Sequence, residues 1–188
     1  MSGRSLFKRS KIIIKVGIAI FSLFPKFISI LIWDMVSSFS QLPFIGIRYL
    51  ILKTMTKECG ENVRIGKNVT IISWANLIIG KNVSIHSGCY IDATGSIKIG
   101  DNVSIAHNSS ILSTNHQYTD ETIPIKYNPV IAKRVVINDD VWIGCGCQIL
   151  SGVIIEERSI IAAGAVVNKN VESNSIYGGI PARKIKTI

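Results

Sequence analysis

Aliphatic residues recur at every sixth position along the C-terminal part of the chain. From residue 137 onward the series is unbroken, at Ile137, Ile143, Ile149, Ile155, Ile161 and Val167. Four residues after each comes a small or modest side chain, at Val141, Cys147, Val153, Ser159, Ala165 and Val171. A period of six fits neither the helical period of 3.6 nor the two-residue alternation of a long strand. It predicts short strands joined by tight corners, with the aliphatic side chains pointing inward.

The middle of the chain repeats the pattern with two slips. Inward positions are expected at Ile65, Ile71, Leu77, Ile79, Ile85, Ile91, Ile97, Ile99, Ile105 and Ile111. The steps from Ile71 to Ile79 and from Ile91 to Ile99 are longer by two residues, which indicates larger corners. Three such units make one triangular coil, and coils stack at about 4.8 Å, the spacing of neighbouring strands. The pattern therefore predicts an all-β parallel solenoid of about five coils.

The period also divides the chain. Residues 57–188 form the predicted solenoid domain, and residues 1–56 form an apolar, basic, α-helical extension. Between Ile111 and Val135 the repeat stops, and the polar stretch 114–134 is expected to leave the solenoid as an external loop. Because a stack of coils has open ends, the extension and the tail after Val171 are the expected caps.

Composition and charge exclude some classes of function. Hydrophobic residues make up 47% and charged residues 18% of the chain, too apolar a balance for a disordered protein. The net charge is +9, and residues 1–60 carry nine basic against two acidic residues, whereas residues 61–188 carry twelve against ten. A nucleic-acid-binding domain would carry the charge on its folded surface, so no nucleic-acid partner is predicted.

Basic residues beside apolar helical segments favour an anionic membrane surface, so residues 1–55 are expected to associate with a membrane as two short interfacial helices broken at Pro25. The alternatives are a signal peptide, a single spanning helix over 16–33, and packing on the protein's own body or a sister subunit.

The four cysteines lack paired spacing, which predicts free thiols in a reducing compartment. The expected location is cytoplasmic, at the inner face of the membrane.

Four short motifs resemble one family of enzymes. They lie at 99–103 (Ile-Gly-Asp-Asn-Val), 114–116 (Thr-Asn-His), 140–144 (Asp-Val-Trp-Ile-Gly) and 179–183 (Gly-Ile-Pro-Ala-Arg). The repeat and these motifs resemble the hexapeptide-repeat acyltransferases, in particular the maltose, galactoside and polysaccharide O-acetyltransferase branch. The resemblance implies a left-handed parallel β-helix, acetyl-CoA as acyl donor, and a homotrimer with active sites between subunits.

Acyl transfer to a hydroxyl needs a base, and histidine is suited to that task at neutral pH. The resemblance makes His116 the general base, with Asn115 beside it in the motif. His86 stands where the family typically has an asparagine that contacts the acceptor, and a solvated corner is the alternative. Trp142 resembles the aromatic residue that walls the acceptor region. A zinc site of carbonic-anhydrase type is a rival for the three histidines, but they are spaced 21 and 9 residues apart without a close pair, so no metal is predicted.

Coenzyme A is expected along corners with small side chains. Cys145 and Ala163 occupy two of them, and a backbone N–H near Cys145 is expected to stabilise negative charge on the thioester oxygen. Lys169, Arg183 and Lys186 match the family's basic positions near the nucleotide end of coenzyme A, and Asn168 takes a place there that the family often gives to threonine. A covalent acyl-cysteine is disfavoured because no histidine is adjacent in sequence.

These residues predict an acetyl-CoA-dependent O-acetyltransferase acting on a saccharide hydroxyl. The basic, apolar extension favours a capsular or lipopolysaccharide glycan, or its lipid-linked precursor, as acceptor. A small free sugar, a nucleotide-sugar amine and an antibiotic remain alternative acceptors, and a longer acyl donor stays open. The alternative of another class is a non-catalytic trimeric β-helix scaffold.

Overall fold

Three helices precede the β-helix. The computed structural model describes residue 7 and residues 10–188, and the helices are α1 (Lys11–Ser22), α2 (Lys26–Val36) and α3 (Leu42–Met55). The break between α1 and α2 falls at Pro25, as expected, because the residue before a proline is disfavoured in helical conformation. The helix α3 is additional to the two interfacial helices expected from the sequence. Of residues 10–188, no helix is long and apolar enough to cross a bilayer.

Short strands stack into three parallel sheets, one on each side of a triangular prism. Sheet A contains β1 (Glu58–Cys59), β4 (Leu77–Ile79), β7 (Ile97–Ile99), β12 (Val135–Ile137) and β15 (Ile154–Ile155). Sheet B contains β2 (Arg64–Ile65), β5 (Ser84–Ile85), β8 (Ser104–Ile105), β13 (Trp142–Ile143), β16 (Ile160–Ile161), β18 (Ser175–Gly178) and the antiparallel β19 (Arg183–Thr187). Sheet C contains β3 (Thr70–Ile72), β6 (Tyr90–Asp92), β9 (Ser110–Leu112), β14 (Gln148–Ile149) and β17 (Val166–Val167).

Five complete coils and a partial sixth result, which confirms the predicted parallel β-helix. The sixth coil begins with a bridge from Val171 to Ile155 and continues through β18. The inward aliphatic side chains are buried; Ile85, Ile105 and Ile143 are at most 1% exposed. Their stacked side chains form one continuous apolar core that runs the length of the prism.

The corners explain the six-residue period and its slips. Asn62, Asn82 and Asn102 adopt left-handed backbone angles near +57°. Their side chains link successive coils, because Asn62 donates to Asn82 and Asn82 donates to Asn102. Asparagine tolerates this conformation better than most residues. The two longer steps correspond to larger corners after sheet C, one of which contains a short 3₁₀ turn at Trp74–Asn76.

Each open end of the described prism is covered. At the first coil, α3 packs Ile51 and Leu52 against the core, and both are fully buried. At the other end, β18 and β19 form an antiparallel pair. Both caps agree with the expectation that the extension and the tail cover the solenoid ends.

A buried arginine ties α2 and α3 to the first coil. The guanidinium of Arg48 is fully buried and donates to the carbonyl oxygens of Val36 (2.7 Å), Phe39 (2.9 Å) and Ile65 (3.2 Å). Burial lowers the pKa of Arg48 from its usual value. Arg48 is one of the nine basic residues of 1–60, but its buried guanidinium anchors the helices to the first coil and adds nothing to a basic surface.

Candidate active site

The corners between sheets B and C stack into one edge of the prism, called here the B–C edge, formed by residues 66–68, 86–88, 106–108, 144–146 and 162–164. Its coils are joined by backbone hydrogen bonds, including Gly146 N–H to His107 O (3.0 Å) and Gly164 N–H to Cys145 O (2.8 Å). His86, Cys145 and Ala163, three of the predicted site residues, therefore lie along this one edge. His107 lies there too, although sequence reasoning treated it only as a surface residue.

His86 occupies an electropositive position. Its pKa is lowered, first by partial desolvation and then by the positive charge of Arg64 and the proximity of His107. Its imidazole is therefore neutral at neutral pH, with one ring nitrogen to donate and one to accept a hydrogen bond. Such a group can replace the asparagine that the resemblance leads one to expect there.

Small residues open the B–C edge to a ligand. Gly146 and Gly164 both have positive φ, and a Cβ atom at either would meet nothing within 4 Å. Gly144 is different, because a Cβ there would lie 2.6 Å from the backbone nitrogen of Ala163. The coils thus pack closely at Gly144 and leave open space directly beside it.

Two backbone amides of this edge are left without a partner among the described residues. Neither Cys145 N–H nor Ala163 N–H donates to another residue in the part of the chain that the structure describes. Unpaired amides beside an open corner suit a ligand rich in carbonyl groups, such as the pantetheine arm of coenzyme A. The residues present therefore fit the predicted donor.

His116 lies on a different edge. After β9 the chain leaves the prism as an antiparallel ribbon of β10 (Thr114–His116) and β11 (Val130–Ala132), with His116 paired to Val130. Asn115 and His116 are both exposed. The sequence predicted an external loop here but not its strand pairing. The ribbon rises from the corners between sheets C and A, called here the C–A edge.

Asp92 fixes the base of this ribbon. Thr114 donates its hydroxyl to Asp92 (2.7 Å), and Thr94 donates both its hydroxyl (2.6 Å) and its N–H (3.0 Å). Desolvation raises the pKa of Asp92, but these hydrogen bonds outweigh it and hold the pKa below its usual value. Asp92 was not predicted from the sequence. Two features could have indicated it: Asp92 lies one coil before Thr114, and Thr94 follows it by two residues, as in an Asx turn.

The tip of the ribbon is also ordered. Asn128 is buried, donates to the carbonyl oxygen of Asp120 (3.1 Å) and accepts from the Asp120 N–H (3.2 Å). Tyr118, Ile125 and Tyr127 are exposed around it. The ribbon thus presents an apolar tip away from its own prism.

The remaining predicted residues are spread over the molecule. Trp142 is outward on β13 of sheet B and 54% exposed. Arg183 begins β19, opposite Gly178 at the end of the B–C edge, while Lys186 lies further along β19 opposite Ile176. Asn168 and Lys169 follow β17, so they lie on the C–A edge with His116. Asn168, Lys169, Arg183 and Lys186 lie near the last coils, whereas Trp142 lies further from that end. All five side chains are exposed.

One subunit does not bring the predicted site together. His86 and Asp92 are six positions apart along the chain, at opposite ends of the sheet C side of one coil, so at most roughly 20 Å separates the B–C edge from the C–A edge. Residues 7 and 10–188 contain no group of three or more His, Cys, Asp or Glu side chains that could hold a metal ion.

The four cysteines are free and differ in their access to solvent. Cys59, Cys89 and Cys147 are buried, and Cys145 is partly exposed. Burial raises the pKa of the Cys59 thiol to about 12, and it also raises the pKa values of Cys89 and Cys147. These three thiols stay protonated at pH 8 and react slowly, because the thiolate is the nucleophile.

We therefore expect N-ethylmaleimide to modify Cys145 alone in the native protein and four cysteines after denaturation. Acetyl-CoA, which has no free thiol, should slow the modification if it lies along the B–C edge. Mass spectrometry of timed samples measures both effects, and a Cys145→Ser variant should remain unmodified. Equal rates with and without saturating acetyl-CoA would contradict this placement.

Comparisons with known proteins agree with the fold. The family model described as bacterial transferase hexapeptide (six repeats) matches residues 134–169, and that of the hexapeptide repeat of succinyl-transferase matches residues 59–93 and 76–113. A Schizosaccharomyces pombe protein, assigned by its name to the acetyltransferases, is 41% identical over 86 residues, which are 43% of this chain and 42% of that protein. The chain thus matches less than half the length of this relative.

Two solved structures match most of the chain. A galactoside acetyltransferase in complex with coenzyme A has a TM-score of 0.78 and 28% identity, covering 87% of this chain and 80% of that one. A hexapeptide-repeat acetyltransferase from Vibrio cholerae O1 biovar eltor, complexed with acetyl-CoA, has a TM-score of 0.75 and 26% identity, covering 85% and 84%. The repeat, the β-helix and these matches together support the assignment of this chain to the hexapeptide-repeat acetyltransferases.

Proposed function

We propose that the chain is an acetyl-CoA-dependent O-acetyltransferase that modifies a hydroxyl of a saccharide, with His116 as the general base. The observation that carries the proposal is the exposed His116 on a ribbon anchored by Asp92, on a prism similar to that of a galactoside acetyltransferase bound to coenzyme A. A capsular or lipopolysaccharide glycan, or its lipid-linked precursor, is the acceptor class that suits the apolar extension.

The base, the oxyanion donor and the phosphate-binding residues have separate roles in the proposed reaction. Acetyl-CoA supplies, when bound, a thioester carbon that a hydroxyl oxygen can attack. His116 takes the proton of the acceptor hydroxyl and later returns a proton to the leaving sulfur, so that it ends each turnover neutral. The Cys145 N–H stabilises the negative charge that develops on the thioester oxygen. Arg183, Lys186 and Lys169 provide positive charge for the phosphates of the nucleotide end.

A homotrimer is part of this proposal, because the site residues of one chain lie on two edges. Side-by-side prisms would place the C–A edge of one subunit, with His116, against the B–C edge of its neighbour, with His86 and Cys145. The exposed Tyr118, Ile125 and Tyr127 at the ribbon tip supply apolar area for that contact. Sedimentation at micromolar concentration tests the trimer, and a stable monomer with full activity would refute it.

Association with the inner face of the cytoplasmic membrane is also proposed. No residue of α1 is buried, and Ile12 and Ile13 are 79% and 74% exposed. On α2, Phe27 and Leu31 are exposed as well. So large an exposed apolar surface marks an interaction site, and Lys15 and Lys26 beside it suit acidic lipid head groups.

A double substitution tests the membrane proposal. We expect Ile12→Glu with Val16→Glu to lower binding to vesicles containing phosphatidylglycerol by roughly tenfold or more, because two apolar contacts are lost and two negative charges are added. Flotation of vesicles measures the bound fraction. Ser173→Glu with Thr187→Glu makes the same charge change on the prism and should bind nearly as the unaltered protein does. Equal loss in both variants would attribute binding to net charge and contradict a role for α1.

A further inference from the structure

An apolar groove lies between α1, α3 and the first coil of the β-helix. Its volume is about 630 Å³, and its apolar lining includes Phe7, Ile13, Ile14, Leu42, Pro43 and Leu50. Phe7 packs edge-on against Tyr49, whose hydroxyl donates to the Gly60 carbonyl oxygen (3.0 Å). Tyr49 and Val63 line the groove and also belong to the buried core, so the groove lies directly on the first coil.

The groove opens onto the exposed apolar surface of α1. Ile13 belongs to both, since it lines the groove and is largely exposed. On the opposite wall, a Cβ atom at Gly46 of α3 would meet nothing within 4 Å. A long hydrocarbon chain can thus pass from the proposed membrane face into the groove.

The lining of the groove also includes a positively charged side chain. Arg64 on β2 lines the groove, is exposed, and forms no salt bridge with any carboxylate in residues 10–188. It lies close to His86, whose pKa it lowers, and it pairs with Ser84 in sheet B. The groove therefore ends beside a residue predicted to contact the acceptor.

Sheet B continues from Arg64 toward the rest of the site. The outward residues of successive strands are Arg64, Ser84, Ser104 and Trp142. At about 4.8 Å per strand, Arg64 and Trp142 are roughly 14 Å apart. Two short hydroxyl side chains lie between them, which leaves a shallow polar strip.

We propose that the groove binds the hydrocarbon chain of a lipid-linked saccharide, and that Arg64 binds the phosphate joining that chain to the sugar. The sugar then lies along the polar strip, between Arg64 and Trp142 and beside His86. The inference rests on the proposed function and extends it by assigning a lipid site to the acceptor. Three features in a row carry it: an apolar groove, an unpaired guanidinium and a polar strip, which match a chain, a phosphate and a sugar in that order.

Photolabelling of the full-length protein in nanodiscs of phosphatidylcholine and phosphatidylglycerol tests the site. The probe is dodecyl phosphate with a diazirine at the end of its chain, and diazirine-bearing dodecanol is the uncharged match. In the unaltered protein we expect adducts on Leu42, Pro43 and Leu50, several-fold more with the phosphate than with the alcohol. Mass spectrometry of peptides locates the adducts.

Two variants separate the two parts of the proposal. Gly46→Trp fills the groove and should abolish adducts on α3, while adducts on Ile12 and Val16 at the outer face persist as an internal control. Arg64→Gln should reduce labelling by the phosphate to the level of the alcohol. Adducts confined to the outer face, or unchanged in Gly46→Trp, would overturn the lipid site. Equal labelling by both probes in the unaltered protein would overturn the role of Arg64.

Acetyl-CoA binding to the same samples distinguishes failure of the lipid site from failure of the proposed function. Unchanged acetyl-CoA affinity in Gly46→Trp and Arg64→Gln, together with lost labelling, is the expected result and shows that both variants are folded. If the unaltered protein bound the lipid probe in the groove but not acetyl-CoA, the proposed function would fail and the claim that an acceptor lipid occupies the groove would fail with it. If acetyl-CoA bound and the groove stayed unlabelled, only the lipid site would be refuted.

Discussion

Replacement of His116 by alanine is expected to lower kcat by about 10²–10⁴-fold, the usual contribution of a general base. Without the imidazole, the hydroxyl of the acceptor keeps its proton and remains a weak nucleophile. The side chain is exposed on β10 and is not part of the core, so the fold should not change. Transfer of radiolabelled acetyl groups to the saccharide that supports turnover of the unaltered chain measures the effect.

Two comparisons make the result specific to the imidazole. Acetyl-CoA affinity and trimer sedimentation should be unchanged in His116→Ala, because neither depends on proton transfer. Glu121→Ala, at an exposed position of the same ribbon, should retain nearly full kcat. A His116→Ala enzyme with kcat within threefold of the unaltered chain would remove His116 from the role of base.

Replacement of Arg48 by methionine should destabilise the N-terminal cap by about 2–4 kcal/mol, since two buried carbonyl oxygens and one partly buried one lose charge-assisted hydrogen bonds. Methionine fills much of the same space, so the lost free energy reflects the hydrogen bonds more than a cavity. Trp33 and Trp74, whose ring centroids are 4.7 Å apart, report on this end of the prism. Their fluorescence during urea unfolding measures the change.

Lys57→Met is the matched control, because Lys57 is exposed beside the same first coil. Its unfolding free energy should change by no more than about 0.5 kcal/mol, as expected for a surface substitution. An Arg48→Met protein as stable as the Lys57→Met protein would show that the Arg48 hydrogen bonds do not hold the extension in place.

The inward positions of the β-helix could be predicted because one physical rule governs all of them. Each short strand points its aliphatic side chains into the core, and each corner restarts the count. The period alone therefore predicts that Ile85, Ile105 and Ile143 are buried. The larger corners after Ile71 and Ile91 were predictable for the same reason.

Arg48 and Asp92 could not be predicted in the same way. The role of Arg48 depends on three carbonyl groups from the end of α2, the loop that follows it and a strand, which come together only in the fold. From composition alone, Arg48 cannot be distinguished from the other basic residues of the apolar extension. Asp92 acts through Thr114, and their contact becomes visible only once the register of neighbouring coils is known.

The division of the site between two edges was also hidden. The insertion at 114–134 interrupts the count, so the stacking of His107 on the coil of Cys145 cannot be read from a constant spacing. His116 could nevertheless be proposed as the base from the sequence, because a histidine at the start of the one long interruption is an unusual feature in so regular a chain.

Calorimetric titration of acetyl-CoA into the purified full-length protein in mild detergent tests the central claim most directly. The account predicts saturable binding at micromolar to sub-millimolar concentrations, close to one site per chain. No heat of binding at millimolar acetyl-CoA, with the β-helix folded and the trimer intact, would contradict the acetyltransferase assignment and favour a non-catalytic scaffold.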